Sequence, residues 1–330
     1  MKQFLQKKAK LVFLCMLVLL TCTACANPRG RDGKTLADQI IASEETTIDA
    51  SKINYKDISD KKLKKEIKKN IKDGQYTIQP TTFKDSMSKG WFEGLIVWPI
   101  AQIINLISSK TDAGVGIILT TLLIQMLVFV FTRKSQMSTQ RMQEIQPEIQ
   151  KIQNKYKDKT DERSKMQMAQ EMQNLYQKYD IHPFGSMLIT FIQLPIMMGM
   201  YYATMRSVSV VSGSFMGISL AGTPLDGFKA LDIAYIAIYV LMVIFYIVSM
   251  KLPQWLKKWQ DKKDNVKVKK YAQEQTNPMA NSMNMSMYFM TAMICIMYIS
   301  WPMAMSFYWL VSSVIRVCQS LILHQVMNKK

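Results

Sequence analysis

The apolar positions of this chain gather into a few long runs, and the polar positions into blocks between them. Residues 115–132 (VGIILTTLLIQMLVFVFT) carry no charge. At about 1.5 Å of rise per residue such a helix covers roughly 27 Å, close to the hydrocarbon thickness of a bilayer. This run predicts a first membrane span. Runs at 187–203, 230–250, 283–299 and 303–323 predict four more, with Ser300, Trp301 and Pro302 leaving room only for a tight turn between the last two. The run WFEGLIVWPIAQIINLISS, 91–109, is different: Glu93, Gly94, Pro99, Gln102 and Asn105 interrupt it and it carries two tryptophans. That is the pattern of an amphipathic helix lying in the interface.

After the first span the apolar beat changes period. Met142, Ile145, Ile149, Ile152 and Tyr156 recur at spacings of 3 and 4, as do Met168, Met172, Leu175 and Tyr179, with the polar turn KDKTD between them. Two short heptad stripes can seal against each other, so 137–179 reads as an antiparallel helical hairpin, in which Pro147 either begins a helix after Gln146 or kinks one. Met137, Met142, Met166 and Met168 would give it a greasy tip, and the chain as a whole holds 27 methionines. The fold class is therefore all-α: a polytopic membrane protein of five transmembrane helices, with a cytoplasmic helical hairpin and an interfacial amphipathic helix.

The N-terminus reads as a signal peptide over 1–25, a basic start followed by an apolar run too short to span. Cys25, after Thr23 and Ala24, resembles the acylated cysteine of a bacterial lipobox, although Cys22 departs from that pattern; ordinary signal cleavage is the alternative. Residues 26–90 form a polar segment whose Lys-rich stretch around Leu63 to Ile71 has few apolar residues for a core.

Charge fixes the expected orientation. The formal net charge is +18, and basic residues crowd at Arg133, Lys134 and Arg141, in the eight lysines of 251–270 and at Lys329 and Lys330, while 207–228 has none. By the positive-inside rule this puts the mature N-terminus outside, the basic loop 251–282 in the cytoplasm and the C-terminus inside a cell membrane. Such a loop can hold anionic membrane lipid or the RNA of a ribosome.

Polar residues within the runs fall on single helical faces. Thr121, Gln125 and Thr132 lie on the first span; Ser186, Thr190 and Gln193 on the second; Ser306, Trp309, Ser313, Arg316 and Ser320 on the fifth. Serine and threonine stripes also serve as packing contacts between helices. Arg316 stands out, because a charge about 12 Å from the cytoplasmic end is costly against lipid and should face protein or water. Gln125 counts to the same depth. No phosphate loop or HExxH is present, and His182 and His324 stand apart, so neither a catalytic set, a metal nor a cofactor is expected. A channel or transporter subunit is the rival reading, but it would usually need a mid-membrane carboxylate or histidine, or an internal repeat. A lipid-anchored scaffold is another, and it would need a substantial exported domain.

The stretches GVGIILTTLLIQ leading into QPEIQKIQNKY, then YDIHPFGSMLITFIQLPIMMGMYYATMR, then WPMAMSFYWLVSS, resemble the YidC, mitochondrial Oxa and chloroplast Albino family in its Gram-positive form. The resemblance covers roughly 91–324. It implies a membrane protein insertase, not an enzyme, that takes nascent membrane proteins from the ribosome or the Sec translocon into lipid. In that family a hydrophilic groove among the five helices does this work. It implies groove positions at Gln193 and Trp309 and a client-receiving role for the hairpin; the polar stripes add Thr121, Gln125, Thr190, Ser313 and Arg316 as groove candidates. Gln125 falls where most bacterial members have arginine, and 26–90 has no counterpart in the pattern.

Overall fold

The computed structural model describes residues 28–157, 159, 161–181, 185–263, 289 and 291–328. The expected signal peptide with Cys25, His182, and the expected basic loop beyond Lys263 lie outside the described residues. In chain order the elements are β1 (Thr35–Leu36), β2 (Thr46–Asp49), β3 (Ile53–Asn54), α1 (Lys61–Asn70), β4 (Gln75–Ile78), α2 (Phe83–Lys89) and a π-helical turn (Glu93–Val97). Helices α3 (Trp98–Ser108), α4 (Ala113–Glu144), α5 (Gln146–Lys155), α6 (Glu162–Lys178), α7 (Gly185–Arg206) and α8 (Val208–Ser212) follow. The chain continues through β5 (Ser214–Phe215), β6 (Ile218–Ser219), α9 (Pro224–Ala230), α10 (Ile233–Lys263), a helical stretch at 291–298 and α11 (Met303–Asn328). The protein is mostly helical, and α4, α10 and α11 contain segments long and apolar enough to cross a membrane.

The chain divides into two compact units, the first made of the described parts of Met1–Thr120, Leu194–Gly222 and Pro302–Met305. Its N-terminal subdomain corrects the expectation of a core-poor segment. Antiparallel β2 and β4 pair Thr46 with Ile78 and Asp49 with Gln75, and β1 pairs with β3 in parallel. Ile40, Ile48, Ile53, Ile58, Ile67 and Ile78 close a core to which Val208 and Val211 of α8 contribute. The apolar residues are sparse in sequence but mostly isoleucine, each burying a large branched side chain. Asp60 caps α1 by accepting from the backbone of Lys62 and Leu63, and Thr82 with Asp85 forms a capping box on α2.

The polar interruptions of 91–109 turn out to be the joints of this unit. The buried Asn105 amide donates to the Ile41 carbonyl at 2.8 Å, and its oxygen accepts from the Ser207 hydroxyl at 2.6 Å and the Ser209 N–H at 3.3 Å. Gln102 donates to the carbonyls of Ala42 and Thr81, and the Trp98 indole also donates to Thr81. Glu93 pairs with Arg206, whose side chain is 3% exposed. Beside that pair Lys89 donates to the Asp38 carbonyl at 2.7 Å. Burial, followed by the Arg206 charge, holds the Lys89 ammonium below the ordinary lysine range. Gly199 of α7 is needed for close approach, since a Cβ there would sit 2.5 Å from Ile96. Asn105→Leu removes three hydrogen bonds and leaves the Ser207 hydroxyl and the Ser209 N–H without this acceptor, an expected loss of about 2–4 kcal/mol. Limited proteolysis on heating should then cut 28–90 at a lower temperature than in the parent, and an unchanged cleavage profile would show that this amide is not a joint.

The second unit holds the described parts of Thr121–Gln193, Thr223–Trp301 and Ser306–Lys330. Helix α4 continues unbroken to Glu144, so the coil expected from Met137 onward starts later; Pro147 lies in the first turn of α5, where its missing N–H is unneeded. Ile145, Ile149, Leu175 and Ile181 pack together with Met142, Ile152 and Met172 around them. Glu171 links the two sides, accepting from Lys155 at 2.6 Å and from Tyr156 at 2.8 Å, and Glu148 accepts from Tyr179 at 2.5 Å. Of the four methionines expected at a greasy tip, only Met166 is fully open; Met142 packs inward, and Met137 and Met168 are half-buried. The basic loop expected from 251 is helical through Lys263, because α10 carries on past its apolar part. That helix starts at Ile233, after Leu231 turns through the left-handed region.

Candidate functional site

Within the second unit the polar residues of several helices meet on one face of α11. Gln125, 6% exposed on α4, donates to the Ser312 hydroxyl at 3.2 Å. Gln193 on α7 donates to the Tyr308 hydroxyl at 3.1 Å. Ser312, Ser313 and Tyr308 are fully buried, and so is Thr121 on α4. An amide or hydroxyl inside a membrane helix is tolerated where it finds a partner on a neighbouring helix, as Gln125 does with Ser312 and Gln193 with Tyr308.

An aromatic wall continues the cluster. Trp309 stacks on Tyr298 with ring centroids 4.9 Å apart and planes 25° apart, and Tyr308 meets Trp309 edge-on at 5.4 Å. Arg316 sits below this wall. Its guanidinium carbon lies 5.8 Å from the Trp309 ring and 6.0 Å from the Tyr246 ring of α10, and its Nη2 donates to Ser313 at 3.2 Å. Among the described residues no carboxylate pairs with it. Among the described residues the Arg316 Nε and the Trp309 indole N–H are both buried with no acceptor. Trp309 and Arg316 are seven residues apart, two helical turns, so these donors share a face.

Six of the positions expected from the sequence thus fall in one unit with defined surroundings: Gln125, Gln193, Trp309, Ser313 and Arg316 in the polar and aromatic cluster, and Thr121 buried nearby in sequence. Thr190 lies on α7, but its side chain is outside the described residues, as is Cys25. The equal depth counted for Gln125 and Arg316 needs correction. Gln125 is level with Ser312, and Arg316 is four residues further along α11, about 6 Å. Counting from the ends of the apolar runs failed because α4 and α11 overrun them by different lengths. Sequence reasoning also missed Tyr308, Ser312, Tyr298 and Tyr246. Tyrosine counts as apolar in a hydropathy run, and Ser312 lies one residue off the serine stripe that drew attention. Among the described residues no group of histidine, cysteine and acidic side chains could hold a metal.

Comparison with known proteins gives concordant matches. The model of the family described as 60Kd inner membrane protein matches residues 105–330. Membrane protein insertase YidC 1 of Streptococcus pyogenes serotype M6 is 31% identical over 237 residues, covering 72% of this chain and 75% of the relative. Membrane protein insertase YidC 1 of Listeria monocytogenes serotype 4b is 30% identical over 257 residues, covering 77% and 78%. Membrane protein insertase MisCA of Bacillus subtilis is 29% identical over 238 residues, covering 72% and 80%.

Proposed function

This chain belongs to the YidC family of membrane protein insertases, and we propose that its polar cluster on α11 is the surface along which a client segment enters the bilayer. The protein is a multi-pass membrane protein and its function is membrane protein insertion; the channel or transporter reading is not favoured by its relatives. The observation that carries the mechanistic reading is the pair of buried, acceptor-less donors on Trp309 and Arg316, the second of them cationic and unpaired among the described residues. A charge in that setting is retained where water or a passing acceptor reaches it.

In this reading five helices span the bilayer, with the N-terminal subdomain outside and the α5–α6 pair as a cytoplasmic hairpin that receives clients. A lipid anchor at Cys25 and delivery by the ribosome or the Sec translocon complete it. The polar N-terminal part of a client has to cross a low-dielectric slab, and a hydrated polar face lowers that cost. Arg316 attracts acidic residues flanking the client's span, while Gln125, Gln193 and Thr190 offer neutral hydrogen bonds that any polar segment can use. Burial of the client's apolar segment in lipid, at about 0.8 kcal/mol per CH₂, then drives completion without a nucleotide.

Depletion of the protein tests the function. Insertion of single- and double-span clients should fail and return with the wild-type chain; a solute-uptake defect with normal insertion would replace this reading. The hairpin has its own test. Its apolar contacts amount to two short stripes, so deleting 151–165 should reduce insertion severalfold while the protein stays in the membrane. Loss of the protein itself would make the hairpin structural.

A further inference from the structure

Helix α10 is the feature that the insertion mechanism leaves unexplained. It runs 31 residues, Ile233–Lys263, or about 46 Å against roughly 30 Å of bilayer hydrocarbon, so its last turns project beyond the core. Protein hardly covers it: only 6% of its most apolar window is buried. Near the exit from the core stands Pro253, which has no N–H to offer the Ser249 carbonyl and so loosens the helix there.

Beyond that proline the sequence changes character. Leu252, just before the proline, and Trp255, Leu256 and Trp259 after it recur at spacings of 3, 1 and 3, which places them on one stripe of a helix. Trp255 is 50% exposed and Trp259 61%, a large aromatic area left open among the described residues. Five lysines against one aspartate occupy 251–263, and the Lys263 ammonium lies 5.5 Å from the Trp259 ring centre, at the rim of the stripe. Indoles seek the boundary between acyl chains and headgroups, and ammonium groups beside them meet phosphate. The segment is continuous with a membrane span, so the surface next to it is the bilayer's own, and its charge matches anionic lipid.

We infer that residues 251–263, where the helix leaves the core, sit in the headgroup layer as a lipid-binding arm that holds anionic phospholipid headgroups through its lysines and buries Trp255 and Trp259 at the acyl boundary. The arm fixes the lateral position of a span that protein contacts alone hold weakly. This rests only on α10 crossing the membrane; its readouts are lipid contacts, so its failure would leave the insertase reading standing.

The test uses full-length protein in nanodiscs of phosphatidylcholine with or without phosphatidylglycerol. The emission lost in a Trp255→Phe/Trp259→Phe variant isolates the two indoles. That emission should be quenched by acyl-brominated lipid and shielded from aqueous iodide; iodide access without bromine quenching would overturn the inference. Replacing Lys257, Lys258, Lys262 and Lys263 with glutamine should lower the preference for phosphatidylglycerol over phosphatidylcholine about tenfold or more. Unchanged lipid preference with loss of ribosome co-sedimentation would assign the lysines to RNA instead, and would also overturn it. Both variants change exposed or half-exposed side chains on a helix already formed, so folding is retained.

Discussion

Replacing Arg316 with leucine is expected to slow client insertion about tenfold, the equivalent of roughly 1.4 kcal/mol of lost transition-state stabilisation, with the protein level unchanged. Among the described residues the side chain hydrogen-bonds Ser313, and its ring contacts with Trp309 and Tyr246 are ones that leucine replaces with apolar packing. Little stability is therefore lost. What disappears is the attraction for an acidic client segment. Adding Gln125→Arg to the same chain should recover most of the rate, because Gln125 already meets the cluster through Ser312 and a long arginine stem spans the one-turn difference in level. The check is the insertion rate of one acidic-flanked client and one neutral-flanked client; full complementation by Arg316→Leu alone would remove the charge from the mechanism.

The second large effect concerns stability. Arg206 and Glu93 are both largely buried and paired, with the Tyr202 ring 5.5 Å from the guanidinium carbon. Removing one partner leaves an uncompensated charge and typically costs about 3–5 kcal/mol. Glu93→Gln or Arg206→Met should therefore lower the thermal midpoint of the first unit sharply. The double variant Glu93→Gln/Arg206→Met, with no stranded charge, should recover a good part of the loss. Thermal unfolding in detergent, followed by proteolysis of 28–90, reads this directly; equal loss in single and double variants would mean that packing rather than charge is at stake.

Both predictions depend on contacts that the sequence showed only by halves. The long apolar runs identify the helices because a bilayer demands uninterrupted hydrophobicity, and the residues of interest on α4, α7 and α11 stand out as polar exceptions within those runs. Glu93, Gln102 and Asn105 were equally visible, but as interruptions. Their partners at Arg206, Thr81 and Ile41 are far away in sequence, and no local pattern encodes such pairings. The N-terminal core was hidden for another reason. Its isoleucines are spread over strands of two to four residues, a Lys-rich helix and the connections between them, too scattered for a period to emerge from the lysines around them. Tyr308 and Tyr298 escaped notice because a phenol reads as apolar until a neighbour such as Gln193 gives its hydroxyl a partner.

Site-specific photocrosslinking during insertion tests the central claim most directly. A photoreactive residue at Ser313, in the polar cluster, and one at Ile244, exposed on α10 and 51% open, offer two positions on helices of the same unit. A stalled client segment should crosslink strongly from position 313 and hardly at all from position 244. Equal labelling from the two, or labelling from 244 alone, would contradict entry along the α11 face.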